Sequence, residues 1–247
     1  MLELDLALFS LSGRAVGSPI VNRTRLLMAI VMVGLLHTVL YGQPLPLRAE
    51  AHRWGYLAIS GLIGFILGDA LLFQAFVMIG ARLSMLIMAL VPVFSAFLGL
   101  AVLGETLTSL EVAGIALAVG GVMWVVTERS AGQTTFKPEK GPRYYLLGVL
   151  FGLGGAIGQA TGLVFSKLGL EGDFSPLSGN MIRLITATVV IWVFTLVQGQ
   201  ARNTFVTLGK NRAAVQHIAI GAIAGPFIGV TLSLLAIQHA TWALLPR

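Results

Sequence analysis

Apolar residues run through this chain in seven long blocks, broken by short polar connections. The blocks are Leu26–Gly42, Trp54–Gly80, Leu83–Leu103, Val112–Val126, Tyr144–Leu168, Leu184–Val197 and Ile218–Ile237. A helix that crosses a bilayer needs about 20 mostly apolar residues, and several of these blocks reach or approach that length. Within the fifth block, Gly148, Gly152, Gly155, Gln159, Gly162 and Ser166 recur every three or four positions. That spacing places them on one face of a helix. A membrane β-strand would instead alternate every second residue over about ten positions. The pattern therefore predicts an all-α bundle of about seven membrane helices.

The connections carry their own signals. Pro44 and Pro46 mark a loop over residues 43–53, and residues 128–143 form the most polar stretch. Thr108 and Glu111 have the spacing of a capping box, so the fourth helix is expected to start there.

Composition sharpens this picture. Charged residues make up 11% of the 247 positions and the mean hydropathy is +0.89. A soluble domain carries roughly 25% charged residues to wet its surface. Lipid is the expected solvent. The 30 glycines suit helices that pack closely in a membrane. The net charge of +6 falls mostly in connections, where it speaks for membrane topology and lipid headgroups rather than nucleic acid. Cysteine is absent and the four histidines, His37, His52, His217 and His239, do not cluster, so no metal or cofactor is expected. No nucleophile elbow, phosphate-cradling loop or His/Glu metal motif appears, which argues against an enzyme.

The chain also repeats itself. Phe9-Ser10 matches Phe165-Ser166, and Ser18-Pro19 matches Ser175-Pro176. Asn22-x-x-Arg25-Leu26 matches Asn180-x-x-Arg183-Leu184 at an offset of 158 residues. Gly64, Gly68, Leu71 and Ala75 match Gly225, Gly229, Leu232 and Ala236 at an offset of 161. Their collinear order indicates duplication. An odd number of crossings separates the two Asn-x-x-Arg motifs, so the repeats should be inverted in the membrane. Carriers built this way hold substrate near the midplane between repeats.

Several segments carry a family resemblance. Gly68-Asp69 through Gly80-Ala81-Arg82, Ala89-Leu-Val-Pro92 through Ala96, and Leu103-Gly104-Glu105 resemble EamA-like members of the drug/metabolite transporter superfamily. Gly114–Gly121 and Gly225-Pro226 through Ala236 continue the likeness. The resemblance implies a ten-helix, two-repeat carrier of metabolites, amino acids or drugs, multi-pass in the bacterial inner membrane. It divides the chain into a first EamA-like repeat over 1–129, a linker over 130–143 and a second repeat over 144–247. Against ten helices, this chain reads as a fragment lacking the opening helix and the C-terminal helices. A non-transporting membrane fragment, or an assembly partner of the same fold, is the rival reading. The partners expected are a small-molecule substrate and the lipid bilayer, with self-association open.

Five residues are candidates for substrate or proton coupling. Asp69 leads, because an ionisable group inside a spanning helix costs at least about 2.5 kcal/mol and is a functional candidate by default. It could exchange a proton or pair with a cationic substrate, or it could only brace neighbouring helices. Gln159, on the small-residue face, could orient a polar substrate or bond another helix. Gln74, Thr231 and Ser233 are weaker, since intramembrane hydroxyls commonly bond their own backbone. Pro92 should kink its helix. Arg25 and Arg183 are expected at helix starts, snorkelling to the interface.

Lysine and arginine also bear on orientation. Counted by alternating connections, most of them, including Arg82, Lys137, Arg143 and Arg202, fall on the face of the first connection. The positive-inside rule makes that face cytoplasmic, whereas the family resemblance implies the opposite placement of the intact protein's termini.

Overall fold

The computed structural model describes residues 15–104, 106–132 and 141–243, with side chains at 125–132 and 239–243 left aside. The expectations placed on Phe9-Ser10, on Glu105 and on linker residues 133–140 lie outside the described residues.

The described chain is helical throughout. Helix α1 covers Ser18–Tyr41 and ends at Gly42, whose left-handed φ of 72° lets its N–H reach Thr38 O. Helix α2 covers Ala51–Ile79 and α3 covers Ala81–Leu103. Helices α4 (Ser109–Gly132), α5 (Pro142–Gly169) and α6 (Pro176–Val197) follow. A short helix α7 (Ala201–Lys210) leads into α8, built from Arg212–Ala222, Ile223–Gly229 and Val230–Ala243.

Six helices, α1, α2, α3, α5, α6 and α8, are long and apolar enough to cross a membrane. Helix α4 carries a seventh apolar stretch, Ser109–Trp124 among the residues whose side chains are described. Seven apolar helices were expected; among the described residues six meet the spanning length and α4, which contains Glu111, is the seventh apolar helix. Its start is as expected. Thr108 Oγ1 accepts from the Glu111 N–H at 3.3 Å, and the Glu111 carboxylate accepts from the Thr108 N–H at 2.7 Å. The outward surface is apolar: Val39, Leu117 and Val197 are each at least 80% exposed, as lipid-facing positions should be.

Packing follows the glycines. The small face of α5 lies antiparallel on α2, from Gly148 beside Ile79 to Ser166, whose hydroxyl meets Ser60 Oγ at 2.7 Å. A Cβ on Gly158 would sit 2.8 Å from Gly68 Cα, so neither backbone tolerates a side chain there. Close approach of this kind substitutes for the hydrophobic drive that lipid does not supply. Helices α1 and α6 also run antiparallel: Tyr41 Oη meets Ser175 Oγ at 2.7 Å at one end, and Trp192 Nε1 donates to Arg23 O at 3.3 Å at the other.

Among the described residues three helices carry a π segment, Gly99–Leu103 in α3 being one, and the other two are repeat equivalents. Leu62–Gly68 in α2 and Ile223–Gly229 in α8 are π-helical. They begin and end at the same offset of 161 that relates Gly64 to Gly225, and the α-helical segments before them, Ala51–Gly61 and Arg212–Ala222, share it too. In each π turn one carbonyl is taken by the asparagine of the repeated motif. Asn22 Nδ2 donates to Phe65 O at 3.0 Å, and Asn180 Nδ2 donates to Pro226 O at 2.7 Å. In α3 the helix breaks at Ala89–Leu90 and restarts at Val91, with Pro92 in the new first turn.

Candidate functional site

The motifs Asn22–Arg25 and Asn180–Arg183 precede the apolar blocks, and their arginines were expected at helix starts, snorkelling to the interface. The structure corrects this. Ser18-Pro19 and Ser175-Pro176 open α1 and α6, so each helix begins two turns before its apolar block. Proline suits a first turn, where its missing N–H costs no bond. Arg25 and Arg183 thereby enter the bundle, at 7% and 1% exposure.

There they meet Asp69. This residue directly follows the π turn of α2 and is 3% exposed. One carboxylate oxygen accepts from Arg25 Nη2 in a tight ion pair. The other accepts from Gln159 Nε2 at 2.6 Å, and that amide also reaches Gly64 O at 3.3 Å. Arg25 Nη2 lies 3.5 Å from Asn22 Oδ1, and its guanidinium stands 4.9 Å over the Phe73 ring. Asp69 thus has an internal cation as its partner.

Arg183 is held differently. Its guanidinium stacks 4.7 Å from the Phe65 ring centroid. Its backbone crosses Gly61 so closely that a Cβ there would fall 2.4 Å from Arg183 O. The guanidinium passes over Gly64, and Arg25 passes over Gly225 in the same way. Since Gly64 and Gly225 are repeat equivalents, each arginine crosses into the other half at matching points. Among the described residues, Arg183 Nε and Nη1 and Asn180 Oδ1 are buried without a hydrogen-bond partner.

The other candidates spread out. Gln74 lies toward the start of α1, where Ser18 Oγ donates to its Oε1 at 3.2 Å. Thr231 accepts from Asn180 Nδ2 at 2.9 Å while bonding its own Phe227 O at 2.6 Å. Ser233 is exposed and bonds Gly229 O at 2.8 Å. The structure brings Asp69 and Gln159 together and leaves Gln74 and Ser233 apart from them. Asn22, Arg25, Asn180 and Arg183 are the site residues that hydropathy alone passed over, and the signal for them was the repeated Asn-x-x-Arg.

The end of the bundle carrying loops 42–50 and 170–175 is bolted shut by polar groups. His37 Nδ1 donates to Gln43 O at 2.6 Å, leaving Nε2 to accept from Ser178 Oγ at 3.0 Å. Arg53 Nη1 donates to Glu171 O at 2.6 Å, and its guanidinium stands 4.9 Å from the Phe174 ring centroid. Gln238 Nε2 bonds Gly172 O and Phe174 O from the other side.

A membrane bundle with a charged, glycine-lined centre is compared most directly with carriers. Residues 7–127 match the model of the EamA-like transporter family. The matched first half of the chain belongs to that family. No curated protein matches it closely enough to add a more specific relative. The EamA-like match covers α1, α2, α3 and most of α4, and so includes Asn22, Arg25 and Asp69. Membership makes the chain a multi-pass membrane protein of a family that moves small solutes. Gln159 and Arg183 lie beyond the matched segment.

Proposed function

We propose that the protein is a secondary carrier that moves a small metabolite or drug-like solute by alternating access, in the bacterial inner membrane. The repeats over 1–129 and 144–247 would rock against each other about the buried Arg25–Asp69–Gln159 cluster. One observation carries this reading. Between α1 and α2, an ion pair is kept from water beside the point where α2 and α5, antiparallel helices from different halves, cross at glycine. Buried charge of this kind is expensive in lipid and marks a solute or ion path. The bolts at His37, Tyr41 and Arg53 close one end, as a carrier requires of one gate at a time. Energy would come from a solute or ion gradient, with no nucleotide or cofactor.

The test is uptake by the full chain in proteoliposomes, screened over labelled metabolites. Saturable uptake that disappears in Asp69→Asn and falls in Gln159→Leu supports the carrier. A folded, monodisperse protein that accumulates no solute from such a panel would point instead to a non-transporting partner of the same fold.

A further inference from the structure

We infer that the substrate is a carboxylate and that Arg183 is the residue that binds it. The inference rests on the carrier reading and names the substrate class for the same site. The first half shows what its arginine requires. Arg25 is met by the Asp69 carboxylate and lies 3.5 Å from Asn22 Oδ1. The second half repeats the asparagine and the arginine, at Asn180 and Arg183. The position equivalent to Asp69, however, is Val230. The consequence is visible in the hydrogen bonding. Arg183 Nε and Nη1 and Asn180 Oδ1 are buried with no partner among the described residues, whereas the equivalent first-half pair leaves only Arg25 Nε.

Charge leads to the same place. Among the described residues the centre holds two buried guanidiniums, Arg25 and Arg183, and one buried carboxylate, Asp69. Asp69 is already engaged by Arg25 and Gln159. A buried guanidinium without its own counter-ion is costly, and an arriving carboxylate removes that cost by a forked pair of charge-assisted bonds. A cationic solute would meet a centre that already carries an excess of positive charge.

The experiment uses the full chain in detergent and follows thermal unfolding with ligand. The probes are butyrate and benzoate, with butyramide, benzamide and benzylammonium as matched controls at constant chloride. Carboxylates should raise the melting temperature and the controls should not. Arg183→Gln should weaken carboxylate binding at least about 30-fold, the loss expected when one side of a buried hydrogen-bonded charge pair is removed. Arg183→Lys should retain a weaker response, since it keeps the charge and loses the fork. Val230→Asp covers the case in which Arg183→Gln does not fold. It supplies the missing carboxylate internally, and should leave a folded protein that no longer responds to either acid.

Equal responses to acids and amides overturn the inference. So does the absence of any carboxylate response, or a response that survives in both Arg183→Gln and Val230→Asp. Proteoliposome uptake separates the two levels. Carboxylate binding without uptake of any solute retires the carrier and keeps the site. Uptake of neutral or cationic solutes without carboxylate binding keeps the carrier and retires the site.

Discussion

Replacing Asp69 by alanine tests the centre of the molecule. The carboxylate is 3% exposed and receives Arg25 Nη2 on one oxygen and Gln159 Nε2 on the other. Without it, the Arg25 guanidinium stays buried at 7% exposure with its countercharge gone. Gln159 fares better, because its amide still reaches Gly64 O at 3.3 Å. Breaking a buried pair by removing one partner costs about 3–5 kcal/mol, most of it the stranded charge. Removing both charges is far milder, since apolar replacements of similar volume are close to neutral. Asp69→Ala should therefore lose about 3–5 kcal/mol, and Asp69→Ala with Arg25→Met should recover most of it. The assay is reversible SDS titration of the full chain in mixed micelles, followed by helical circular dichroism, over the complete double-mutant cycle. A loss under about 1 kcal/mol for Asp69→Ala, the range of an exposed ion pair, would refute the reasoning. Simple additivity of the two single variants would refute it equally.

Three smaller perturbations test the surroundings. Gly61→Ala forces a Cβ to within 2.4 Å of Arg183 O and should cost about 1–3 kcal/mol, whereas Gly55→Ala, with no atom within 4 Å, should be neutral or stabilise α2; melting temperatures separate them. Gln159→Leu removes a bond to a charged acceptor and should lose about 1.5–3 kcal/mol in the same SDS titration, an effect that vanishes in an Asp69→Ala background. Thr108→Ala removes the cap of α4 and should cost about 1 kcal/mol locally, seen as faster amide exchange at the start of that helix with the centre unchanged.

The spans were legible because each is a long apolar run, and the small face of α5 was legible because its period is helical. The capping box before α4 was legible from two residues at fixed spacing. The helix starts were not. Asn22 to Arg25 are polar, Asn180 and Arg183 bracket two apolar residues, and hydropathy places such polar positions in water. They are buried because the rest of the bundle supplies partners, Phe65 O and Asp69 to one motif and Pro226 O to the other, that lie 40 to 50 positions away. Arg25 as the partner of Asp69 could not be read locally for the same reason. The π turns left only an indirect trace, paired glycines at one offset. Sequence can show that two positions are equivalent, but not that their backbones widen by one residue per turn.

The crossing of Arg183 over Gly61 and Gly64, and of Arg25 over Gly225, also bears on how the protein is made. Each arginine touches the half that does not contain it, and Arg183 is shielded by that half. As the chain leaves the ribosome, α1 and α2 are complete long before α6 exists. Until then Gly61 lacks the Arg183 backbone and Gly64 lacks the Arg183 guanidinium that pack against them, and the first half has no means of finishing its own core. Assembly of the centre waits until residue 183 has entered the bilayer, so maturation is a late docking of two halves rather than a steady accretion of helices. Pulse-labelled nascent chains arrested before and after that point should differ sharply in protease resistance, with the step falling at α6.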